Sequence, residues 1–96
     1  MSETDEPDEA LMDKVEKLYS LINRMRFYRD VMLEQEARKL ADHVEKLRKE
    51  IMLTPEEVEK LADELDEYYI SGTFSHGDMD PVSYWTMVVK DRLAKK

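Results

Sequence analysis

Residues 9–53 read EALMDKVEKLYSLINRMRFYRDVMLEQEARKLADHVEKLRKEIML and contain neither glycine nor proline. Apolar residues recur here at steps of three and four, which is the periodicity of one side of an α-helix. The first stripe consists of Leu11, Val15, Leu18, Ile22 and Met25. The second consists of Leu33, Ala37, Leu40, Val44, Leu47 and Ile51. The segment is therefore predicted to be helical.

The two stripes join through Arg29 by two consecutive steps of four residues. In a coiled coil such an insertion unwinds the supercoil locally. One interpretation is a single helix of about 43 residues, roughly 65 Å long. The other is a helical hairpin bent near residues 29–31. The usual length of helices favours the hairpin, whereas the lack of a helix breaker favours the single helix.

The boundary after this segment is marked by several signals in Leu53-Thr54-Pro55-Glu56-Glu57-Val58. Thr54 and Glu57 have the spacing of a capping box, and proline suits the first position of a helix. Leu53 and Val58 are placed to form a hydrophobic staple. The predicted helix runs to about Tyr69, and Gly72 is expected to end it.

A last helix is predicted from Asp80-Pro81 to near Ala94, again with a cap followed by proline. Its inward residues are expected to be Val82, Trp85, Val88, Val89 and Leu93. We expect Trp85 to anchor a core with Leu61, Leu65 and Tyr68, because a lone tryptophan on an apolar helix side is usually buried. The polar loop 73–79 is expected to be mobile.

The amino-acid composition indicates the fold class and the cellular compartment. The chain has 96 residues, of which 42% are apolar, with only 2 glycines, 3 prolines and no cysteine. These values predict an all-α protein, a small helical bundle with long amphipathic helices (hairpin or coiled coil) plus a C-terminal helix pair. Residues 1–8 are expected to form a disordered acidic leader and 9–96 a single domain. The absence of cysteine is compatible with a cytoplasmic location.

The net charge of −8 argues against nucleic acid as the partner, because phosphate repels an acidic protein. No apolar run is long enough to span a bilayer, so no membrane partner is expected. Charge is also unevenly placed. Residues 54–80 hold nine acidic residues against one lysine, whereas residues 10–53 hold eight acidic and ten basic residues.

Two charged clusters are candidate binding sites. The first interleaves bases and aromatics, and its candidates are Arg24, Arg26, Tyr28 and Arg29. Guanidinium groups pair with oxyanions and rings stack, so this cluster suits phosphate or an acidic partner. The second is acidic, and its candidates are Glu56, Glu59, Asp63 and Glu67. It suits a basic partner. In both cases a solvated helix face, or pairing of the arginines with the acidic helix, is the alternative.

No catalytic residue, metal site or cofactor is predicted. His76, Asp78 and Asp80 lie close together, but the interpretation favoured is a loop in which Asp80 caps the next helix. An EF-hand frame beginning at Asp78 would need glutamate at its twelfth position, where Val89 stands. His43 has no partner histidine at helical spacing, so a helix-bundle metal site is not indicated.

The segments Lys46-Leu47-Arg48-Lys49-Glu50 and Lys60-Leu61-Ala62-Asp63-Glu64-Leu65-Asp66 resemble the small sporulation aspartyl-phosphate phosphatases. Those are helical hairpins that dephosphorylate response regulators and carry a Ser-Gln-Glu-Leu-Asp signature. Glu64, Leu65 and Asp66 match it, whereas Ala62 and Asp63 replace its serine and glutamine. The resemblance covers about a quarter of the chain and implies a hairpin regulator.

The function favoured by these observations is a noncatalytic protein–protein interaction module, a small regulator, inhibitor or adaptor that acts through a helical face. The alternatives are an accessory subunit of a larger enzyme complex and the phosphatase-like regulator. The partner is expected to be another protein. A homo-oligomer, specifically a dimer, is also expected, with the stripe that begins at Leu11 as its interface.

Overall fold

Four α-helices make up the part of the chain that the computed structural model describes, residues 5–74 and 79–95. They are α1 Asp5–Asp30, α2 Glu34–Glu50, α3 Pro55–Ser71 and α4 Pro81–Ala94. Helix α1 packs against each of the other three, and α3 also packs against α4. The described residues contain no β-strand, so the predicted all-α fold class is confirmed.

The turn between α1 and α2 confirms the hairpin and excludes the single long helix. The Leu33 amide donates to the Tyr28 carbonyl at 2.8 Å, and the Met32 amide donates to the Arg29 carbonyl at 3.1 Å. This pair of bonds is a Schellman motif, and its left-handed residue is Met32, with φ of 64°. Glycine usually occupies that position, and another residue there costs roughly 1 kcal/mol.

The turn between α2 and α3 repeats the same geometry with the same kind of sequence. Ile51-Met52-Leu53 corresponds to Val31-Met32-Leu33, and Met52 is left-handed with φ of 60°. The Leu53 amide donates to the Arg48 carbonyl at 3.0 Å, as the motif requires. Methionine is not a turn former, which is why the sequence does not mark either position.

The first apolar stripe forms the centre of the bundle. Val15 and Leu18 are fully buried, and Leu11 and Ile22 are nearly so. They belong to one core with residues of the other three helices. The stripe is therefore covered within the chain and is not available as a dimer interface, so that expectation about its position is wrong. An apolar stripe of this kind is buried by packing against other helices, and here those helices are α2, α3 and α4.

The N-terminus of α3 is capped as predicted and held by an additional residue. The Thr54 amide donates to Glu57 Oε1 at 3.0 Å, and the Glu57 amide donates to Thr54 Oγ1 at 3.2 Å. The Arg92 guanidinium of α4 forms a two-pronged ion pair with the Glu57 carboxylate and also donates to the Met52 carbonyl at 3.1 Å. The hydrogen bonds from Arg92 lower the pKa of Glu57 to about 2. One arginine thus ties α4 to the start of α3.

Helix α4 is placed by its cap and by its tryptophan. The Ser83 amide donates to Asp80 Oδ2 at 3.2 Å, so the predicted capping role of Asp80 is confirmed. Trp85 is 3% exposed, in one core with Leu61 and Leu65, and its Nε1 donates to Glu64 Oε1 at 2.8 Å. Tyr68 is only half-buried and lies outside this core, because α3 turns it toward the surface near its C-terminus. Its predicted place in the core is wrong.

The start of α1 differs from the sequence expectation, whereas the end of α3 agrees with it. Helix α1 begins at Asp5, within the predicted leader, and Pro7 is compatible with a first turn whose amides have no acceptor in the helix. Helix α3 ends at Ser71 with left-handed Gly72 as predicted. Residues 1–4 and 75–78 are outside the described residues. The prediction that the loop 73–79 is mobile falls mostly on them, and so does any ion binding by His76 and Asp78.

Candidate protein-binding surface

The basic and acidic clusters meet at one point, where α1 crosses α3. Arg26 Nη2 lies 3.2 Å from Asp63 Oδ1, and Arg26 Nη1 lies 3.3 Å from Asp66 Oδ2. The Tyr19 hydroxyl donates to Asp66 Oδ1 at 2.6 Å. Burial, followed by the hydrogen bond to Asp66, raises the pKa of Tyr19. Arg26 is therefore paired with two carboxylates within the fold, whereas the Asp63 side chain is 72% exposed and keeps most of its carboxylate open to solvent.

The other members of the basic cluster lie on different sides of α1. Arg24 and Tyr28 are four residues apart and share one face, whereas Arg26 and Arg29 share another. Arg24 is exposed, on the side of the hairpin turned away from α3. Arg29 lines a depression between α1 and α2. The predicted cluster is thus not one site, because helical periodicity divides it.

The acidic cluster remains a surface of α3. Glu56, Glu59 and Glu67 are exposed and form no ion pair with any residue that the structure describes. Asp63 is exposed but bridged to Arg26. Asp63 and Glu67 line a depression of about 480 Å³ together with Glu64, Thr73 and Phe74, and Glu59 borders a smaller one beside Arg26 and Arg29. Glu56 borders neither depression and lies on a solvated helix face.

A groove opens between α1 and α2 at the closed end of the hairpin, beyond the start of α3. Its lining consists of Arg29, Glu34, Ala37, Arg38 and Ala41, and its volume is about 350 Å³. A smaller depression of about 160 Å³ continues it through Arg29 toward Val44, Pro55 and Val58. Ala37 and Ala41 are four residues apart on α2, so small side chains form one wall.

The groove extends onto the turn at the tip of the hairpin. Glu34 and Arg38 also line a neighbouring depression together with Met32, Leu33, Gln35 and Glu36. Met32 is 81% exposed and Leu33 is 48% exposed. We call the continuous surface the tip groove, and it is formed by Arg29, Met32, Leu33, Glu34, Gln35, Glu36, Ala37, Arg38 and Ala41.

The charge of the tip groove is positive in its central part. Neither Arg29 nor Arg38 has an ion-pair partner among residues 5–74 and 79–95. In this part Glu34 is the acidic residue, so two guanidinium groups face one carboxylate. Toward Met32 the groove holds a second carboxylate, Glu36, which lies 3.7 Å from Lys39 Nζ. Unpaired arginines next to apolar side chains are suited to bind a carboxylate that is attached to an apolar segment.

The residues that resemble the phosphatase signature are occupied by structural contacts. Leu65 is fully buried, Glu64 accepts the hydrogen bond from Trp85, and Asp66 accepts from Tyr19 and Arg26. The described residues include no group of three or more side chains arranged to bind a metal ion. Across the same residues, no helix has the length and hydropathy needed to cross a bilayer.

A scan against protein-family models, a search of curated proteins and a search of solved structures each found no match to this chain.

Sequence reasoning included Arg29 in a candidate site but missed Met32, Leu33, Ala37 and Arg38. A signal for them does exist in the sequence. Val31-Met32-Leu33 and Ile51-Met52-Leu53 have the same pattern and both form turns, but only the second turn lies against a core. Which of two similar segments becomes buried depends on the packing of distant helices, and a local pattern does not contain that information.

Proposed function

We propose that this protein is a noncatalytic protein–protein interaction module and that the tip groove is its docking surface. The observation that carries the proposal is the contrast between its two turns. Ile51 and Leu53 are 0% and 2% exposed, whereas the corresponding Val31 and Leu33 are 46% and 48% exposed. Apolar residues in the same local geometry are therefore buried at one turn and left uncovered at the other. Exposed apolar surface beside polar residues is typical of interaction sites.

The partner that fits the groove is an acidic amphipathic helix of another protein. The small, partly exposed side chain of Ala41 allows a helix to approach α2 closely, in the manner of helix-in-groove recognition. Leu33 and Met32 offer apolar contact at one end. Arg29 and Arg38 can each pair with a carboxylate of the partner, and such charge-assisted bonds are stronger than neutral ones.

The distribution of charge also favours one orientation of such a partner. The exposed glutamates of α3 repel an acidic helix, whereas the tip groove attracts it. Complementary charge of this kind mainly accelerates association and fixes the register of the complex. We expect binding of moderate strength that is easily reversed, as suits a regulator or adaptor.

The proposal is tested with displayed peptides selected for binding to the intact protein. A library of randomised amphipathic peptides of about 18 residues, or five helical turns, provides the probe. We expect the enriched sequences to carry acidic residues next to an apolar stripe. Their affinity for the double variant Arg29→Glu/Arg38→Glu should fall roughly tenfold or more.

The matched control is Arg24→Glu/Lys46→Glu, which changes the net charge by the same amount on the opposite side of the hairpin. Both of its residues are exposed, so the fold should be retained. The enriched peptides should bind this variant almost as well as the wild type. Equal losses in both variants would show a nonspecific charge effect and contradict the proposal. Enrichment of basic peptides, or failure to enrich any peptide, would also contradict it.

A further inference from the structure

A second groove lies between α1 and α2, on the side of the hairpin that the described residues of α3 and α4 do not line. Its lining consists of Lys17, Leu21, His43, Lys46, Leu47 and Glu50, and its volume is about 250 Å³. We call it the lysine groove. It shares no residue with the tip groove, so a function of one does not depend on a function of the other.

The lysine groove is positively charged, although the whole chain carries a net charge of −8. Lys17 and Lys46 are exposed and form no ion pair with any residue that the structure describes. Glu50 is the carboxylate of the lining, and Lys14 Nζ lies 3.0 Å from it. Around the groove, three lysines thus stand against one glutamate, and two of the three ammonium groups remain available to an external anion.

The charges beyond the lining limit the size of such an anion. Asp13 and Asp42 lie one helical turn before Lys17 and Lys46, outside the lining, and form no ion pair with them. An extended polyanion such as nucleic acid would pass over these carboxylates and over the rest of an acidic surface, which repels it. An anion confined to the groove lies next to the lysines, and salt largely screens charges more than about 8 Å away from it. The groove therefore suits a compact anion.

The kind of donor favours phosphate over carboxylate. The lining contains two ammonium groups and an imidazole, from two different helices, and no described arginine. Arginine holds a planar carboxylate with two parallel hydrogen bonds, whereas lysine acts as a point charge and is a common ligand of phosphate. A phosphate monoester carries about two negative charges and three acceptor oxygens. Lys17, Lys46 and the ring N–H of His43 can therefore each bind a separate oxygen.

We propose that the lysine groove binds a phosphate monoester. Lys17, His43 and Lys46 contact the phosphate oxygens, and the apolar side chains of Leu21 and Leu47 contact the organic group. The volume of about 250 Å³ lies below the roughly 300–1,000 Å³ of sites for drug-sized ligands. The part of the ligand that enters the groove is therefore the phosphate with a few carbon atoms. It belongs either to a free small molecule or to a phosphorylated side chain of a protein.

The test is a titration of the intact protein with phenyl phosphate, followed by the NMR chemical shifts of backbone amides. We expect saturable shifts centred on Leu21, His43 and Leu47. Inorganic phosphate should cause the same shifts with lower affinity, because it lacks the organic group. Benzoate should bind at least about tenfold more weakly than phenyl phosphate, because it has less charge and fewer acceptor oxygens. Lys17→Gln/Lys46→Gln should also lose about tenfold in affinity and stay folded, because both positions are exposed.

Lys49→Gln/Lys60→Gln is the matched control, since it removes two positive charges at exposed positions outside the groove. Its affinity for phenyl phosphate should change less than about twofold, because distant exposed charges are screened. Equal losses in the two double variants would assign binding to the overall charge and overturn the proposal. Equal affinities for benzoate and phenyl phosphate, or shifts that do not saturate, would overturn it as well.

Two further probes distinguish the sources of the monoester. Glycerol phosphate represents a free small molecule, and a short phosphoserine peptide represents a phosphorylated protein. Tighter binding of one of them than of inorganic phosphate supports the proposal and identifies the source. If neither they nor phenyl phosphate bind more tightly than inorganic phosphate, the monoester is rejected. That result would leave docking at the tip groove untouched, because the two grooves share no residue.

Discussion

Replacing Glu57 by glutamine separates two roles that this side chain combines. Glu57 completes the capping box of α3 and is also the carboxylate that pairs with Arg92. Glutamine at this position retains the capping box, because its amide oxygen still accepts from the Thr54 amide. The substitution therefore removes the charge of the ion pair while it preserves the cap.

The expected loss of stability follows from the pKa of Glu57. A fall from 4.5 to about 2 corresponds to roughly 3 kcal/mol of stability at neutral pH. The side chains of Arg92 and Glu57 are 35% and 24% exposed, so water screens part of this interaction. We expect Glu57→Gln to lower the free energy of unfolding by about 1 to 2 kcal/mol at pH 7. This corresponds to roughly 5–10 °C in melting temperature for a domain of this size.

The pH dependence gives a second, independent check. Because the pKa is lower in the folded state, the unfolded state binds more protons at acidic pH, and stability falls as the pH falls. The contribution of Glu57 is complete above its unfolded pKa of 4.5 and is lost as the pH approaches 2. The difference between wild type and Glu57→Gln should therefore be constant near neutrality and disappear close to pH 2. Urea denaturation monitored by circular dichroism at several pH values measures it.

Glu56→Gln is the matched control for this experiment. Glu56 is exposed in the same first turn of α3, so its replacement should change stability by no more than about 0.5 kcal/mol. If Glu57→Gln behaves like Glu56→Gln, the ion pair adds nothing to the cap. If the difference from wild type persists unchanged at pH 2, it does not come from the ionised carboxylate. Either result would refute the reasoning.

Three further predictions concern the core, the last helix and the assembly. Trp85→Ala should cost roughly 3–5 kcal/mol, measured by chemical denaturation, and a normally stable variant would contradict its place in the core. Asp80→Ala should cost about 1 kcal/mol through loss of the α4 cap, and an unchanged melting temperature would contradict the cap. The homodimer stays a prediction, but the stripe that contains Leu11 is no longer its expected interface. Sedimentation equilibrium that shows only an 11.4 kDa species would reject the dimer.

The parts of the fold that could be predicted from the sequence are those specified by local chemistry. Thr54, Pro55, Gly72 and Asp80 act on backbone groups within a few residues of themselves, so their roles are visible in the sequence. The same holds for the buried side of each helix, because helical periodicity marks it. These signals give the correct fold class and the limits of α3 and α4 to within about two residues.

The position of the first turn and the composition of the candidate site could not be predicted in this way. Met32 carries no turn signal, and its left-handed conformation belongs to the Schellman motif that ends α1. The ion pair of Arg26 with Asp63 joins residues 37 positions apart, and the hydrogen bond from Trp85 to Glu64 depends on α4 packing against α3. The tip groove exists because the start of α3 does not reach the turn between α1 and α2. The groove therefore depends on the arrangement of all three helices.

The central position of α1 has a consequence for the synthesis of the protein. Helix α1 ends at Asp30, whereas α4, which covers part of its apolar stripe, begins only at Pro81. At a translation rate of about 5–20 residues per second, several seconds separate the emergence of these two helices from the ribosome. During that interval the nascent hairpin presents uncovered apolar side chains, including Val15 and Leu18, that the finished protein hides completely. The nascent chain is therefore most exposed to chaperone binding and aggregation before its fourth helix appears. Synonymous codons that slow elongation between residues 31 and 80 should lower the yield of folded protein.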